Sequence, residues 1–269
     1  MDLLDPRAAT AEAPSNIALV KYWGKRDDAL NLPSTGSLSV TLDSLRTQTA
    51  VRFAPELDAD RIRLDGRVAG APATRRIVRF LDLVRLLAGT HDRAEVVSEN
   101  GFPTGAGLAS SASGFAALAL ACDEALGLGY TPSELSALAR RGSGSAARSL
   151  FGGFVEMVCG EREDGSDTVA RPILPADHLP LAIVVAVTST EAKATGSTEG
   201  MGRSTRTSPF FDAWTKQVPH DLERMRAALQ AADLQRVGEI AEENCARMHA
   251  VALSAAPPLL YWNAATVEV

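Results

Sequence analysis

The chain has few of the groups that most enzymes use to move protons or hold metals. Its four histidines, His91, His178, His220 and His249, stand singly, and no HExxH or GxSxG motif occurs. A metal cage or a Ser-His-Asp hydrolase therefore has little support. The three cysteines, Cys122, Cys159 and Cys245, lie far apart without a CxxC, which excludes a disulfide framework and points to a reducing compartment. Basic surplus is also absent. Lys and Arg total 27 against 33 Asp and Glu, a net charge of −6, unlike a general nucleic-acid binder. Any phosphate must be held by a local site. Long hydrophobic runs are missing too. Leu181 to Val187 is too short to span a bilayer, which takes about 20 residues. Ala106 to Cys122 is interrupted by Ser110, Ser111, Ser113 and Gly114. The N-terminal Met1-Asp2-Leu3-Leu4-Asp5 lacks the basic and apolar regions of a secretory signal. The expectation is a soluble cytoplasmic protein with neither nucleic acid nor membrane as partner.

What is present is enough apolar material for a core, 46% of 269 residues. Residues 15–20, 37–42, 47–53, 61–64 and 94–98 read as strands, with a turn at Asp65-Gly66. Thr74 to Ala88 has helical periodicity and stops at Gly89. A small-residue helix is predicted from about Leu108 to Leu126. A second starts at Thr131-Pro132-Ser133-Glu134, a capping-box pattern, and runs to about Arg140. Residues 151–158 and 181–188 read as strands, with a polar loop over 160–178 between them. Residues 210–230 and 233–252 read as helices. The fold class is α+β: a β-rich first part with packed helices, then a helical second part.

Four runs carry candidate chemistry. The first is Pro103-Thr-Gly-Ala-Gly-Leu-Ala-Ser110-Ser111-Ala-Ser113-Gly, a glycine loop with hydroxyls opening a helix. Unpaired N–H groups at a helix start favour an anion, and glycines let a phosphate approach the backbone. A small-residue helix packed on a sheet carries the same pattern. It is no Walker A loop, because no lysine lies between 94 and 139, and no dinucleotide fingerprint, because Ser110 fills the last glycine place. The second run, Arg140 to Ser149, sets serines beside Arg148, whose planar fork of donors suits a carboxylate or phosphate. A cap with solvated arginines fits it equally. The third is Lys21-Tyr22-Trp23-Gly24-Lys25-Arg26, an anion clamp or a basic turn. The fourth is Thr195 to Met201 with Lys193 and Thr207-Ser208, an anion site or a cap and loop. Together they favour phosphorylated ligands, where positioning and charge neutralisation do most of the catalysis.

These residues resemble the mevalonate diphosphate decarboxylases of the GHMP kinase superfamily. The resemblance rests on Ser15 to Asp27, Leu30 to Pro33, Ser37 to Asp43, Ser98 to Phe115, Ala139 to Gly153, Thr195 to Met201, Met248-His249 and Pro257 to Trp262. It implies a GHMP-kinase-like two-part fold, with an ATP-binding part over 1–185 and a mainly helical, incomplete part over 186–269. It also implies that ATP phosphorylates the 3-hydroxyl of mevalonate 5-diphosphate, after which phosphate and carbon dioxide leave and isopentenyl diphosphate forms. By matching positions, Tyr22, Trp23, Gly24, Lys25, Arg75, Ser143, Gly144, Ser145, Ala146, Ala147, Arg148 and Thr207 would line the substrate site. Pro103, Gly105, Gly107, Leu108, Ala109, Ser110 and Ser111 would hold the ATP phosphates. Ser111 would stand near the transferred group, Arg148 would hold the carboxylate, and Lys21 or Lys25 would neutralise the diphosphate. Magnesium would come mainly with ATP, and a homodimer is the implied assembly.

The family also carries a catalytic aspartate in an Asp-Ala-Gly-Pro-Asn stretch beyond the Tyr-Trp segment. These residues hold no such stretch. The expectation is an exposed apolar face, marginal stability, and a rate lowered by the roughly 10²–10⁴-fold that an acid–base group supplies. Two other readings stay open: a superfamily kinase or decarboxylase acting on mevalonate or its monophosphate, and a catalytically silent homologue that still binds nucleotide.

Overall fold

The computed structural model describes residues 7–102, 110–189 and 194–268. They divide into two compact units interleaved along the chain, the first drawn from 7–16, 42–102 and 110–150, the second from 17–41 and 151–268. Strands β1 (Ala8–Val20) and β4 (Ser37–Ala54) give residues to both.

In the first unit, β4 pairs antiparallel with β7 (Arg93–Asn100), from Thr47 opposite Asn100 to Ala54 opposite Arg93. β5 (Arg61–Leu64) adds in parallel on β7, with Ile62 opposite Val96, and β6 (Arg67–Val68) closes a hairpin on β5. The turn between them is Asp65-Gly66, both at positive φ (48° and 75°), as a tight hairpin with the natural strand twist demands. Alternation buries Ala94, Val96 and Ser98 of β7. Helix α1 (Ala71–Ala88) presents Ile77, Phe80, Leu81 and Val84 to the core and ends on left-handed Gly89. Helix α2 (Ser110–Leu126) buries Ala112, Ala116, Ala117, Ala119 and Ala121, so small side chains let it sit deep in the core. Helix α3 (Pro132–Gly142) starts with a capping box. The Glu134 N–H donates to Thr131 Oγ1, and Glu134 Oε2 accepts from the Thr131 N–H at 2.8 Å. A 3-10 turn, Gly144–Leu150, follows directly.

In the second unit, Ser37 to Val40 of β4 pair antiparallel with β8 (Phe154–Met157), whose other edge takes β9 (Ala170–Leu174). β2 (Lys25–Asp27) and β3 (Leu32–Pro33) form a small hairpin. Helices α4 (Ser197–Thr207), α5 (Phe211–Gln230), α6 (Leu234–Leu253) and α7 (Ala264–Glu268) complete it. Its core joins Val20, Leu38, Val40 and Phe154 to Trp214, Val218, Met225, Leu229, Ile240 and Val251. No helix among the described residues is long and apolar enough to cross a membrane.

The α+β class holds, and five local readings change. Residues 37–42 and 47–53 belong to one continuous strand, because β8 pairs with its first part and β7 with its last, so the polar residues between them stay extended. The strand read over 151–158 is confined to Phe154–Met157. The polar loop over 160–178 contains β9. Within Thr195 to Met201, read as an anion site or a cap and loop, α4 begins at Ser197. Finally, 181–188 is not a strand. Its apolar composition suits one, but no described strand pairs with it, and Val184 is 94% exposed. Backbone N–H and C=O groups need a neighbouring strand, which composition alone does not supply.

Candidate active site

The first unit gathers the serines and one arginine of the second run. Ser111 sits in the first turn of α2. Its Oγ lies 3.4 Å from Ser143 Oγ, which lies 3.4 Å from Ser145 Oγ. Ser143 is the cap residue of α3 and donates its N–H to Ala139 O. A helix start and a helix end thus present a row of three hydroxyls. The start of α2 is fixed by Thr47, whose Oγ1 is 2.6 Å from both Ser113 Oγ and Asn100 Oδ1. Gly144, Ala146 and Ala147 are buried in the 3-10 turn, where Ala147 O accepts from Ser136 Oγ.

Arg148 is fully buried, and its Nη2 donates to Asn16 Oδ1 at 3.3 Å. The Asn16 amide nitrogen in turn donates to Ser149 Oγ (2.8 Å) and Ser145 O (3.3 Å). A buried cation must be matched by acceptors, and here the match fixes the guanidinium relative to the serine row. Asn16 lies in the Ser15 to Asp27 run, where it is a polar residue among strand apolars.

Arg75 and Arg76 are both exposed on α1. Arg76 Nη2 donates to Gly142 O at 3.2 Å, and its guanidinium stands 4.9 Å over the Phe115 ring. One helical step turns a side chain by about 100°, so the two neighbouring arginines leave α1 in different directions.

The second unit places the Lys21 to Lys25 run directly after β1. Lys21 Nζ donates to Ala18 O at 3.0 Å, and Lys25 Nζ lies 3.6 Å from Asp28 Oδ1 with its side chain nearly buried. Tyr22 is half-buried and Trp23 buried. The Trp23 carbonyl accepts from Trp214 Nε1 at 3.0 Å. Gly24 has φ +106°, and a Cβ there would stand 2.6 Å from Phe211 Cε2, so conformation and space both require glycine. Trp23 meets Tyr261 edge-on, ring centroids 5.8 Å apart, and Gly200 of α4 fills the gap, a Cβ there lying 3.2 Å from Trp23 Cη2. Burial raises the Tyr261 pKa, so its phenol stays neutral through the physiological range. The Thr207 hydroxyl donates to Arg203 O (2.8 Å) and accepts from Ala256 N–H (2.9 Å), which ties it to the backbone at the end of α4.

Pro103, Gly105, Gly107, Leu108 and Ala109 lie outside the described residues, as does Lys193. Ser110 is described, as the first residue of α2. No group of three His, Cys, Asp or Glu side chains able to hold a metal ion occurs among the described residues.

The sequence matches two family models: the diphosphomevalonate decarboxylase-like N-terminal domain over residues 13–170 and the mevalonate 5-diphosphate decarboxylase C-terminal domain over 183–269. It is 41% identical to the human diphosphomevalonate decarboxylase over 96% of this chain and 68% of that protein. It is 42% identical to the Candida albicans diphosphomevalonate decarboxylase over 95% of this chain and 75% of that one. Among solved structures it resembles MDDEF in complex with MVAPP, AMPPCP and magnesium, at TM-score 0.92 and 42% identity over 97% of this chain and 80% of that one. The Staphylococcus aureus mevalonate diphosphate decarboxylase follows at TM-score 0.88 and 39% identity, over 97% of this chain and 78% of that one.

Proposed function

Because the chain belongs to the diphosphomevalonate decarboxylase family, we propose that it converts mevalonate 5-diphosphate to isopentenyl diphosphate, with ATP as co-substrate. The 3-hydroxyl oxygen bonds to the γ-phosphorus of ATP as ADP leaves and the hydroxyl proton is lost. The C3–O bond of the resulting phosphate ester then breaks with its electron pair, releasing phosphate. The C1–C2 bonding pair becomes the C2–C3 double bond, and carbon dioxide departs.

The observation that carries this reading is the serine row from Ser111 to Ser145 with buried Arg148 one turn further on. The start of α2 offers N–H donors to the ATP phosphates, and Ser111 stands at that start. The hydroxyls of Ser143 and Ser145 hydrogen-bond the substrate. Arg148, held by Asn16, binds the carboxylate by two donors until it is lost. A guanidinium does this better than an ammonium, because its two N–H groups match both oxygens. Arg75 contributes positive charge on the exposed face of α1. Lys21 and Lys25, on the strand-end loop, neutralise the diphosphate. Magnesium fits a site poor in carboxylates when the ATP phosphates supply most of its ligands, with the Ser111 hydroxyl at hand. When bound, it neutralises phosphate charge. In this reading residues 1–185 bind ATP, and the protein works in the cytoplasm.

The test incubates the 269-residue chain with magnesium, ATP and mevalonate 5-diphosphate and quantifies ADP and carbon dioxide together. Equal amounts are expected. ADP without carbon dioxide would replace the decarboxylase by a kinase. Neither product, from a folded sample that binds ATP, would refute turnover by this chain.

A further inference from the structure

The loop after β1 carries Lys21, yet no strand pairs with its backbone N–H. That donor is taken by a side chain 223 residues away in sequence: Asn244 Oδ1 of α6 accepts it at 2.8 Å. The same amide donates from Nδ2 to Asp221 Oδ2 of α5 at 2.9 Å. Asp221 and Asn244 are both fully buried. The carboxylate also accepts Arg247 Nη1 on both oxygens at 3.0 Å and Gln217 Nε2 at 2.9 Å. The network fixes the amide's orientation, because a backbone N–H requires an acceptor and a carboxylate requires a donor. The two Asn244 contacts therefore work only in this sense. Both groups are desolvated, so breaking any one of these hydrogen bonds would leave a buried polar group unmatched and free the backbone at Lys21.

We infer that Asp221 and Asn244 are positioning residues that set the Lys21-to-Lys25 loop for the substrate diphosphate, acting through the Lys21 N–H. The inference rests on the proposed function for the identity of the substrate. Asp221 locks the amide. The amide locks the backbone where the strand ladder ends. Trp214 locks the same loop two residues later at the Trp23 carbonyl. Together they hold both lysines without touching either ammonium.

The test compares the full wild-type chain, Asn244→Leu and the exchange variant Asp221→Asn/Asn244→Asp. The exchange keeps an acceptor for the Lys21 N–H and a donor–acceptor pair between the helices. Asn244→Leu is expected to raise KM for mevalonate 5-diphosphate about tenfold, the worth of one positioning hydrogen bond, with KM for ATP within about twofold. The exchange variant should recover most of that loss. A folded Asn244→Leu protein with a lower Tm and an unchanged KM would overturn the inference, since it would leave the pair a stability role only.

A second readout needs neither variant nor substrate. The chain has only four lysines, so 15N-lysine labelling resolves the Lys21 amide directly. Its hydrogen exchange is expected to be slow in the wild type. An unprotected Lys21 amide would overturn the inference even if Asn244→Leu does not fold. If the wild type neither binds nor turns over mevalonate 5-diphosphate, the substrate assignment fails, while the Lys21 exchange rate still decides whether the tether exists.

Discussion

Gly142→Ala tests whether packing behind the serine row is as tight as the structure requires. Gly142 ends α3 beside the Phe115 ring of α2, and a Cβ at this position would lie 2.6 Å from Phe115 Cγ and 2.8 Å from Cε1. Phe115 Cδ1 would be nearer still, and carbon atoms settle at about 3.5–4.0 Å, so the ring must retreat by roughly 1.5 Å. It has little room. Phe80 packs edge-on at 5.5 Å, and Arg76 covers a face at 4.9 Å. Overpacking of this kind costs about 1–3 kcal/mol, or a fall in Tm of roughly 3–10 °C for a chain of this size. The same shift moves the Gly142 carbonyl, hence Arg76, and Ser143 beside it, so kcat/KM should fall with stability. The assay is a double-mutant cycle with Phe115→Leu, read by thermal melts and by coupled ADP release. Phe115→Leu alone loses packing and the cation–π contact, worth about 0.5–1 kcal/mol. In the Gly142→Ala background it should recover stability. Additivity of the two changes within about 0.5 kcal/mol, or a Gly142→Ala protein that melts with the wild type, would refute the reasoning.

Two further outcomes follow from buried groups in the first unit. Asp60 accepts both Nη atoms of Arg85 at 3.0 Å and the Ala94 N–H at 2.8 Å, with little of either side chain exposed. Asp60→Ala strands a buried guanidinium and should cost about 3 kcal/mol, the lower end for a broken buried pair, because Asp82 still contacts Arg85; an unshifted urea midpoint would contradict this. Cys122 is fully buried, and desolvation raises its thiol pKa far above the free value. The unfolded thiol ionises near 8.5, so this contribution to stability is complete below that pH and is lost as pH rises beyond it. Ellman's reagent at pH 8 should therefore spare Cys122 in the folded chain while reaching the partly exposed Cys159 and Cys245, and unfolding should release the third thiol.

Local chemistry determined much of the fold without any tertiary information. The Thr131 capping box, the Gly89 stop, the Asp65-Gly66 turn and the periodicity of residues 74–88 each act within one or two turns of chain. Hydrogen bonds and steric limits of that range are written in neighbouring residues. The start of α2 at Ser110 was legible for the same reason, while a helix start with small polar residues fits an anion site and a packed helix equally.

What remained hidden depends on partners distant in sequence. The apolar stretch 181–188 has a strand's composition, yet a strand exists only against a neighbour. By contrast Ala170–Leu174, within the loop read as polar, became a strand because β8 pairs with it. That Arg76 lies over the Phe115 ring depends on how α1 and α2 pack, which the Arg75-Arg76 pair does not encode. The fixing of Arg148 by Asn16, and of Lys21 by Asn244 and Asp221, joins residues more than a hundred apart, which no local pattern can encode. The sequence by itself determined the family, the chemistry of the ligands and most element types. The tertiary structure decided which buried polar groups hold Arg148 and Lys21, and which apolar run stays unpaired among the described strands, because each of these is settled by the free energy of burying one group against another.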